Sequence, residues 1–380
     1  MKQIRWIAMV SLVAVLEVSC KKADIYDVLN PNGPTLIDVR HEKSVAISKA
    51  FILPAYTDGG QYGYGDIVQI NESELFCVSA RFKNFYDFDP GANIVSSRSI
   101  DSGKTWSSPI ALQENIGAIN TLAPSLIKIS SSKLLIFFSM RRTMQQIEIM
   151  FKESNDGGRT WGEAKSVNKN DAFAYQVLNN ARVRLIGNRL VMPVAETDDI
   201  FTNYDKQKVF CYYSDNMGAS WSRSKSIYYK TPLMEPGITA ISESNWLMNI
   251  RTRTGNVFFA RSYDRGVNWT LYNSSINSPA SPQTIFKLPK TDTLLMVWNC
   301  TTATSGVSGN DRSPLSLAIS TNEGNTWQWV ADIETSNLSD FSYASILADE
   351  KNIYVSYYKR DKRSLHAASL MIATIKRSSL

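Results

Sequence analysis

Histidine is almost missing from this chain of 380 residues, which has only His41 and His366. Zinc sites and serine or cysteine nucleophiles lean on imidazole as ligand or base, so those chemistries find little support. Cysteine is scarce as well: of four, Cys77, Cys211 and Cys300 each sit in an apolar, strand-like stretch and read as buried thiols, with no C-x-x-C spacing. No apolar run reaches the roughly 20 residues that span a membrane as a helix, and sustained helical periodicity is lacking. Nor is there much excess of charge. The 41 Lys and Arg residues against 35 Asp and Glu residues leave a net charge of +6. The basic residues are scattered, which argues against a nucleic-acid surface and leaves room for a mildly basic site that takes an acidic ligand. No metal or cofactor is expected. With 43% apolar and 20% charged residues, the chain can bury a large core and is neither disordered nor a coiled coil.

What is present is a repeat. One eight-residue pattern returns at intervals of roughly 50 to 60 residues, the range of a propeller blade. Its first copy is Ser99, Asp101, Gly103, Thr105, Trp106 and its second Ser154, Asp156, Gly158, Thr160, Trp161. Three more follow at Ser214, Asn216, Gly218, Ser220, Trp221, at Ser262, Asp264, Gly266, Asn268, Trp269, and at Ser320, Asn322, Gly324, Thr326, Trp327. This is the Asp-box, a hairpin turn in which an Asp or Asn side chain accepts bonds from backbone N–H groups, Gly takes a positive φ, and Trp packs inward against the blade. Alternating or β-branched stretches precede the boxes, as at 94–98 and 315–319. A four-stranded sheet cannot cover both of its faces alone, so such sheets stack around an axis. Five boxes with room for one more blade predict an all-β, six-bladed β-propeller.

Ahead of the repeats, Lys2 and Arg5 precede an apolar run from Trp6 to Leu16, then Ser19 and Cys20. That is the pattern of an export leader. Its end resembles a bacterial lipobox, although Glu17 stands where a small or apolar residue is usual. The resemblance implies that Cys20 is lipidated and that the protein is an exported lipoprotein, periplasmic or at the outer-membrane surface, touching the membrane only through its lipid. The expected organisation is a leader over 1–20, a tether with little packing over 21–45, and one propeller over 46–380.

Function has to come from residues outside the boxes. Arg81, then Asp87, Phe88 and Asp89, lead into the first box. Glu235, Pro236 and Gly237 open the blade in which Asn249, Ile250, Arg251 and Thr252 precede the fourth. Arg312, within a segment that starts at Asn310 and Asp311, precedes the fifth, and Ser342, Tyr343, Ala344 and Ser345 follow it. This series resembles the sialidases and covers the chain after the tether. The resemblance implies Tyr343 as nucleophile, Glu235 as its base, Asp87 or Asp89 as general acid/base with Asp89 slightly preferred, and Arg251 and Arg312 as carboxylate clamps. The boxes of that family lie at the blade rim, so their Asp residues are poor catalytic candidates. The set makes chemical sense. A sialoside carries a carboxylate on its anomeric carbon that would repel a carboxylate nucleophile, whereas a neutral phenol can approach. With an ordinary pKa near 10, the phenol needs a base to become nucleophilic.

The chain departs from the family at one point. Sialidases open their first blade with an F-R-I-P-like tetrapeptide whose Arg completes a triad, and here Phe51, Ile52, Leu53 and Pro54 lack it, as does the segment from Gly63 to Val68. Arg81, Arg141, Arg142 or Arg182 are the candidates to compensate, with Asn180 beside Arg182 and with Asp66 available for substrate hydroxyls. Tyr62, Tyr64, Phe85 and Tyr86 suit stacking on a sugar face. The leading expectation is an exo-acting, retaining glycoside hydrolase that removes terminal sialic acid. Its alternatives are a related propeller glycosidase for another terminal sugar and a non-catalytic carbohydrate-binding propeller. In every case the partner is a terminal sugar of a glycan or glycoconjugate.

Overall fold

A computed structural model describes residues 29–37, 45–169, 174–300, 312–364 and 367–380. The leader, Cys20, His41, His366, Asn310 and Asp311 lie outside them. The described strands form six sheets of four or five strands each, the six-bladed propeller expected from the repeats. The innermost strands are Gln61–Gln69, Asn120–Lys128, Tyr175–Val177, Met234–Ala240, Thr284–Lys287 and Ser339–Ala348. Each blade then runs outward by antiparallel hairpins. The sixth is closed by the early strand Ile47–Leu53, which pairs with Ala368–Lys376 and fastens the two ends of the chain together.

The strands are buried on both faces, because each blade is sandwiched between two others. Leu134–Arg141 is buried along its whole length, and its apolar residues face in both directions. One cluster joins Phe137 and Phe151 of the second blade to Val183, Leu190 and Met192 of the third. Another joins Leu295 and Leu317 of the fifth to Val355 and Tyr357 of the sixth. The core is therefore a ring of apolar seams between blades, and the axis is left to polar side chains.

All five boxes occupy the same corner, the turn between the third and fourth strands of blades one to five. In the first, Asp101 accepts the N–H of Lys104 at 3.1 Å, the N–H of Thr105 at 2.9 Å and the Thr105 hydroxyl at 2.6 Å. These bonds, that of the Thr105 side chain foremost, hold its carboxyl at about 2. The Trp residues were expected to be largely buried. Only Trp327 is; Trp106, Trp161, Trp221 and Trp269 are half-buried at the rim.

The stretch 21–45, read as a loose tether, is docked where it is described. Asn30 bridges to Tyr272 of the fourth blade, and Thr35–Ile37 adds a fifth, parallel strand beside Thr326–Glu334 of the fifth. The open edges of these blades offer unpaired backbone groups, and the N-terminal segment satisfies them.

Candidate active site

Each inner strand starts at the cleft end of the axis, and four of them carry a bulge there. Two residues of the inner strand face one of the neighbouring strand at Tyr64 and Gly65, Ala123 and Pro124, Glu235 and Pro236, and Tyr343 and Ala344. The first residue of each pair is left-handed, with φ of 53° at Tyr64, 57° at Ala123, 43° at Glu235 and 57° at Tyr343. Such a conformation costs of order 1–3 kcal/mol at a residue with a side chain and concentrates at functional sites. Here one backbone device turns Tyr64, Glu235 and Tyr343 into a single cleft.

That cleft has a volume of about 320 Å³. The Tyr343 hydroxyl donates to Glu235 Oε1 at 2.8 Å, and Arg251 Nη1 donates to Glu235 Oε2 at 2.6 Å. Burial alone would raise the Glu235 carboxyl; Arg251 against it, with Arg312 nearby and the Tyr343 bond, more than offsets this and holds it below the ordinary glutamate value. Burial and the Glu235 charge push the Tyr343 hydroxyl far up, with Arg312 and Arg251 opposing. Arg312 donates to the Tyr358 hydroxyl at 2.6 Å, and its guanidinium carbon lies 5.3 Å from the Tyr343 ring centre. Across the cleft, Asp87 accepts the Tyr64 hydroxyl at 2.5 Å, and the Tyr64 ring meets that of Tyr343 edge-on at 4.3 Å between centres.

Not every candidate from the sequence reaches this place. Asp89, slightly preferred over Asp87, is turned away from the cleft and accepts the backbone N–H of Lys83 at 2.6 Å and of Asn84 at 3.1 Å, stapling its own loop. It is Asp87 that lines the cleft. Arg81 is engaged outside the cleft by Asp58, 2.7 Å away, and Arg142 by Glu148 at 2.7 Å. Arg141 borders a side pocket instead of the main cleft.

Asp66, Asn180 and Arg182 lie beneath the floor, not on it. The Asp66 carboxylate accepts the N–H of Leu126 at 2.7 Å and the Ser345 hydroxyl at 2.6 Å, joining blades one, two and six, so it has no reach to a substrate hydroxyl. Asn180 Nδ2 donates to the carbonyls of Gly65 at 2.7 Å and Tyr343 at 3.1 Å. Arg182, 1% exposed, donates to Thr284 Oγ1 at 3.1 Å, and that hydroxyl donates to the carbonyl of Ala344 at 2.6 Å. Its guanidinium also lies under Gly237, where an added Cβ would come within 2.9 Å of Nη1. Burial, followed by the charge of Arg184, lowers Arg182 to about 10. The third blade thus supplies the buried polar support of the bulges that carry Tyr64, Glu235 and Tyr343.

The side of the cleft beside the first inner strand is aromatic. Phe85 lies so close to Gly63 that a Cβ there would be 2.5 Å from its ring, and it packs edge-on against Tyr358 at 5.1 Å. A cation was nevertheless missed by the sequence reading. Arg360 lines the cleft and pairs with Asp340 at 2.6 Å. Tyr358 and Arg360 pair in register with Ser342 and Asp340, just ahead of Tyr343; alternation along Asn352–Asp361 puts both on the face turned to the cleft, and that pairing is the signal that would have found them. Tyr175, Tyr204 and Gln207 complete the far wall; they come from a short strand and from the 3-10 turn Tyr204–Lys206 with its cap, whose place could not be read from a motif.

The chain matches the family model described as BNR repeat-like domain over residues 93–355. No curated protein sequence matches it. Among solved structures, a protein of unknown function from Dyadobacter fermentans is similar with a TM-score of 0.67 at 17% identity, covering 87% of this chain and 99% of that one. The NanB sialidase of Streptococcus pneumoniae, as a point mutant, gives 0.68 at 13% identity over 90% of this chain and 73% of that one. Trypanosoma rangeli sialidase with the inhibitor DANA gives 0.65 at 15% identity over 86% of this chain and 59% of that one. The propeller is thus sialidase-like in fold, and, matched by the family model over more than half of its length, the chain belongs to the BNR repeat-like domain family.

Proposed function

We propose that the protein is an exo-acting, retaining glycoside hydrolase for a terminal acidic sugar, with sialosides the leading substrates. The observation that carries this reading is the Tyr343 hydroxyl bonded at 2.8 Å to a glutamate whose other oxygen is held by Arg251 at 2.6 Å, in a cleft that also contains Asp87. Arg251 and Arg312 receive the sugar carboxylate through charge-assisted bonds. Tyr343 Oη attacks the anomeric carbon while its proton passes to Glu235 Oε1. The bond to the leaving oxygen breaks as Asp87 gives that oxygen its proton. In the second half, the Asp87 carboxylate takes a proton from water, the water oxygen attacks the same carbon, the bond to Tyr343 breaks, and Glu235 returns the proton to the phenol. Two displacements retain the configuration.

The wall of Tyr64, Phe85 and Tyr358 favours a second reading, a different terminal sugar stacked on the aromatics, since stacking asks for no charge. Export and lipidation at Cys20 belong to the proposal and would display the enzyme toward external glycans. A panel of chromogenic glycosides, sialosides included, tests both readings. Wild type should hydrolyse one of them, and Tyr343→Phe, which loses a single hydroxyl, should cut turnover at least 10²-fold with an unchanged circular-dichroism spectrum. Near-full turnover by Tyr343→Phe would remove the nucleophile assignment; no turnover by wild type would favour the binding propeller.

A further inference from the structure

A small pocket of about 50 Å³ opens beside the cleft and shares Tyr64, Asp87, Tyr175 and Glu235 with it. Its chemistry comes from blades two and three. Arg141, which ends the strand Leu134–Arg141, is 6% exposed and held between the rings of Phe88 and Tyr175, 4.4 Å and 5.3 Å from its guanidinium carbon. Neither its Nε nor its Nη1 has a partner among the described residues. Two neighbours in the same pocket are also incompletely bonded. Asn120 spends its Nδ2 on the carbonyls of Asp87 and Asp89 at 2.9 Å and 3.2 Å, which fixes the amide and leaves Oδ1 over. Asn179 accepts the N–H of Asn180 at 2.8 Å, which leaves its Nδ2 over. Leu122, Ile147 and Leu178 are among its apolar walls, and Ser139 also lines it, within 3.4 Å of the Leu178 carbonyl.

Buried polar groups are nearly always satisfied, and leaving a guanidinium N–H unmet is costly. Among the fully buried side-chain atoms of this pocket, the unmet donors are Arg141 Nε, Arg141 Nη1 and Asn179 Nδ2 and the unmet acceptor is Asn120 Oδ1, while the carboxylates of Asp87 and Glu235 border it on the cleft side. A group that fits has acceptor oxygens in excess of donors, negative charge and only a few heavy atoms. Resting on the reading of the cleft as a sugar site, we propose that Arg141 forms a second anion subsite, which takes a compact oxyanion, a sulfate ester or a second carboxylate, carried by the sugar on the side away from Arg251 and Arg312. The substrate is then a terminal sugar with two acidic groups rather than one.

Thermal unfolding in sodium sulfate against sodium chloride of equal ionic strength tests this without reference to turnover, so its failure leaves the catalytic reading standing. Sulfate stabilises folded chains in general by exclusion, and the quantity read is the excess of wild type over each variant. The stabilisation by sulfate should be several degrees larger in wild type than in Arg141→Met, should survive in Arg312→Lys, and should be partly retained in Arg141→Lys, which keeps the charge if Arg141→Met folds poorly. An excess that persists in Arg141→Met, or that vanishes only in Arg312→Lys, overturns the proposal. So does Arg141-dependent protection by N-acetylglucosamine and not by sulfate, which would make the pocket a reader of neutral acyl groups.

Discussion

Tyr343 holds its proton firmly in the resting cleft, because burial and the Glu235 charge both oppose a phenolate. The nucleophile is thereby kept neutral until an anomeric centre arrives, and Glu235, held low chiefly by Arg251 against its own burial, is ionised and ready to accept the proton. A pH dependence follows. Glu235 must be ionised to act, and its carboxyl lies below the ordinary value, so the acid-side fall in kcat/KM should begin only below the usual glutamate pKa of about 4.3. Arg251→Met removes the largest opposing charge and leaves burial to dominate, so that limb should move up in pH; a limb that stays put would separate Arg251 from Glu235. Stability shifts with the same sign. A depressed folded-state pKa contributes stability above the unfolded value and loses it as pH falls through the folded one. The melting-temperature deficit of Arg251→Met should therefore be larger at pH 7 than at pH 3.

Among the elements, the inner strands divide the labour. Those of blades one, four and six present Tyr64, Glu235 and Tyr343 from strained bulges, while blade three contributes Asn180 and Arg182 as the buried braces of those bulges. The sequence offers Arg182 as one of four substitute clamps, with Asn180 beside it. What that reading could not supply is depth. A polar run in a propeller's inner strand can face the cleft or the axis, and only the bond to Thr284 and the contact beneath Gly237 decide it. A buried guanidinium that braces strained backbone is costly to remove. Arg182→Met should destabilise the protein by about 2–4 kcal/mol in chemical denaturation, with Thr284→Val affected in the same direction; variants as stable as wild type would show that the bulges stand unaided.

At the scale of the whole molecule, the architecture was readable because the Asp-box is local: Ser99, Asp101 and Thr105 close their own turn whatever surrounds them, and five such turns with room for one more blade give the six sheets. The cleft was legible where a motif carried it, at Glu235, Arg251, Arg312 and Tyr343, which converge from blades four, five and six. It was illegible where loops decide, since Asp87 and Asp89 differ by two positions in a turn, and where strand pairing decides, as for Tyr358 and Arg360. The N-terminal segment docked along blades four and five was missed for a related reason: Thr35–Ile37 satisfies a sheet edge that exists only once the ring has closed. Closure of the ring brings Tyr343, Glu235 and Asp87 into one cleft, and covalent trapping reads out that assembly. Peptide mass analysis after incubation with 2,3-difluorosialic acid should find one sugar adduct, on Tyr343, with none formed in Tyr343→Phe; an unmodified wild-type protein, or an adduct that persists in Tyr343→Phe, would contradict it.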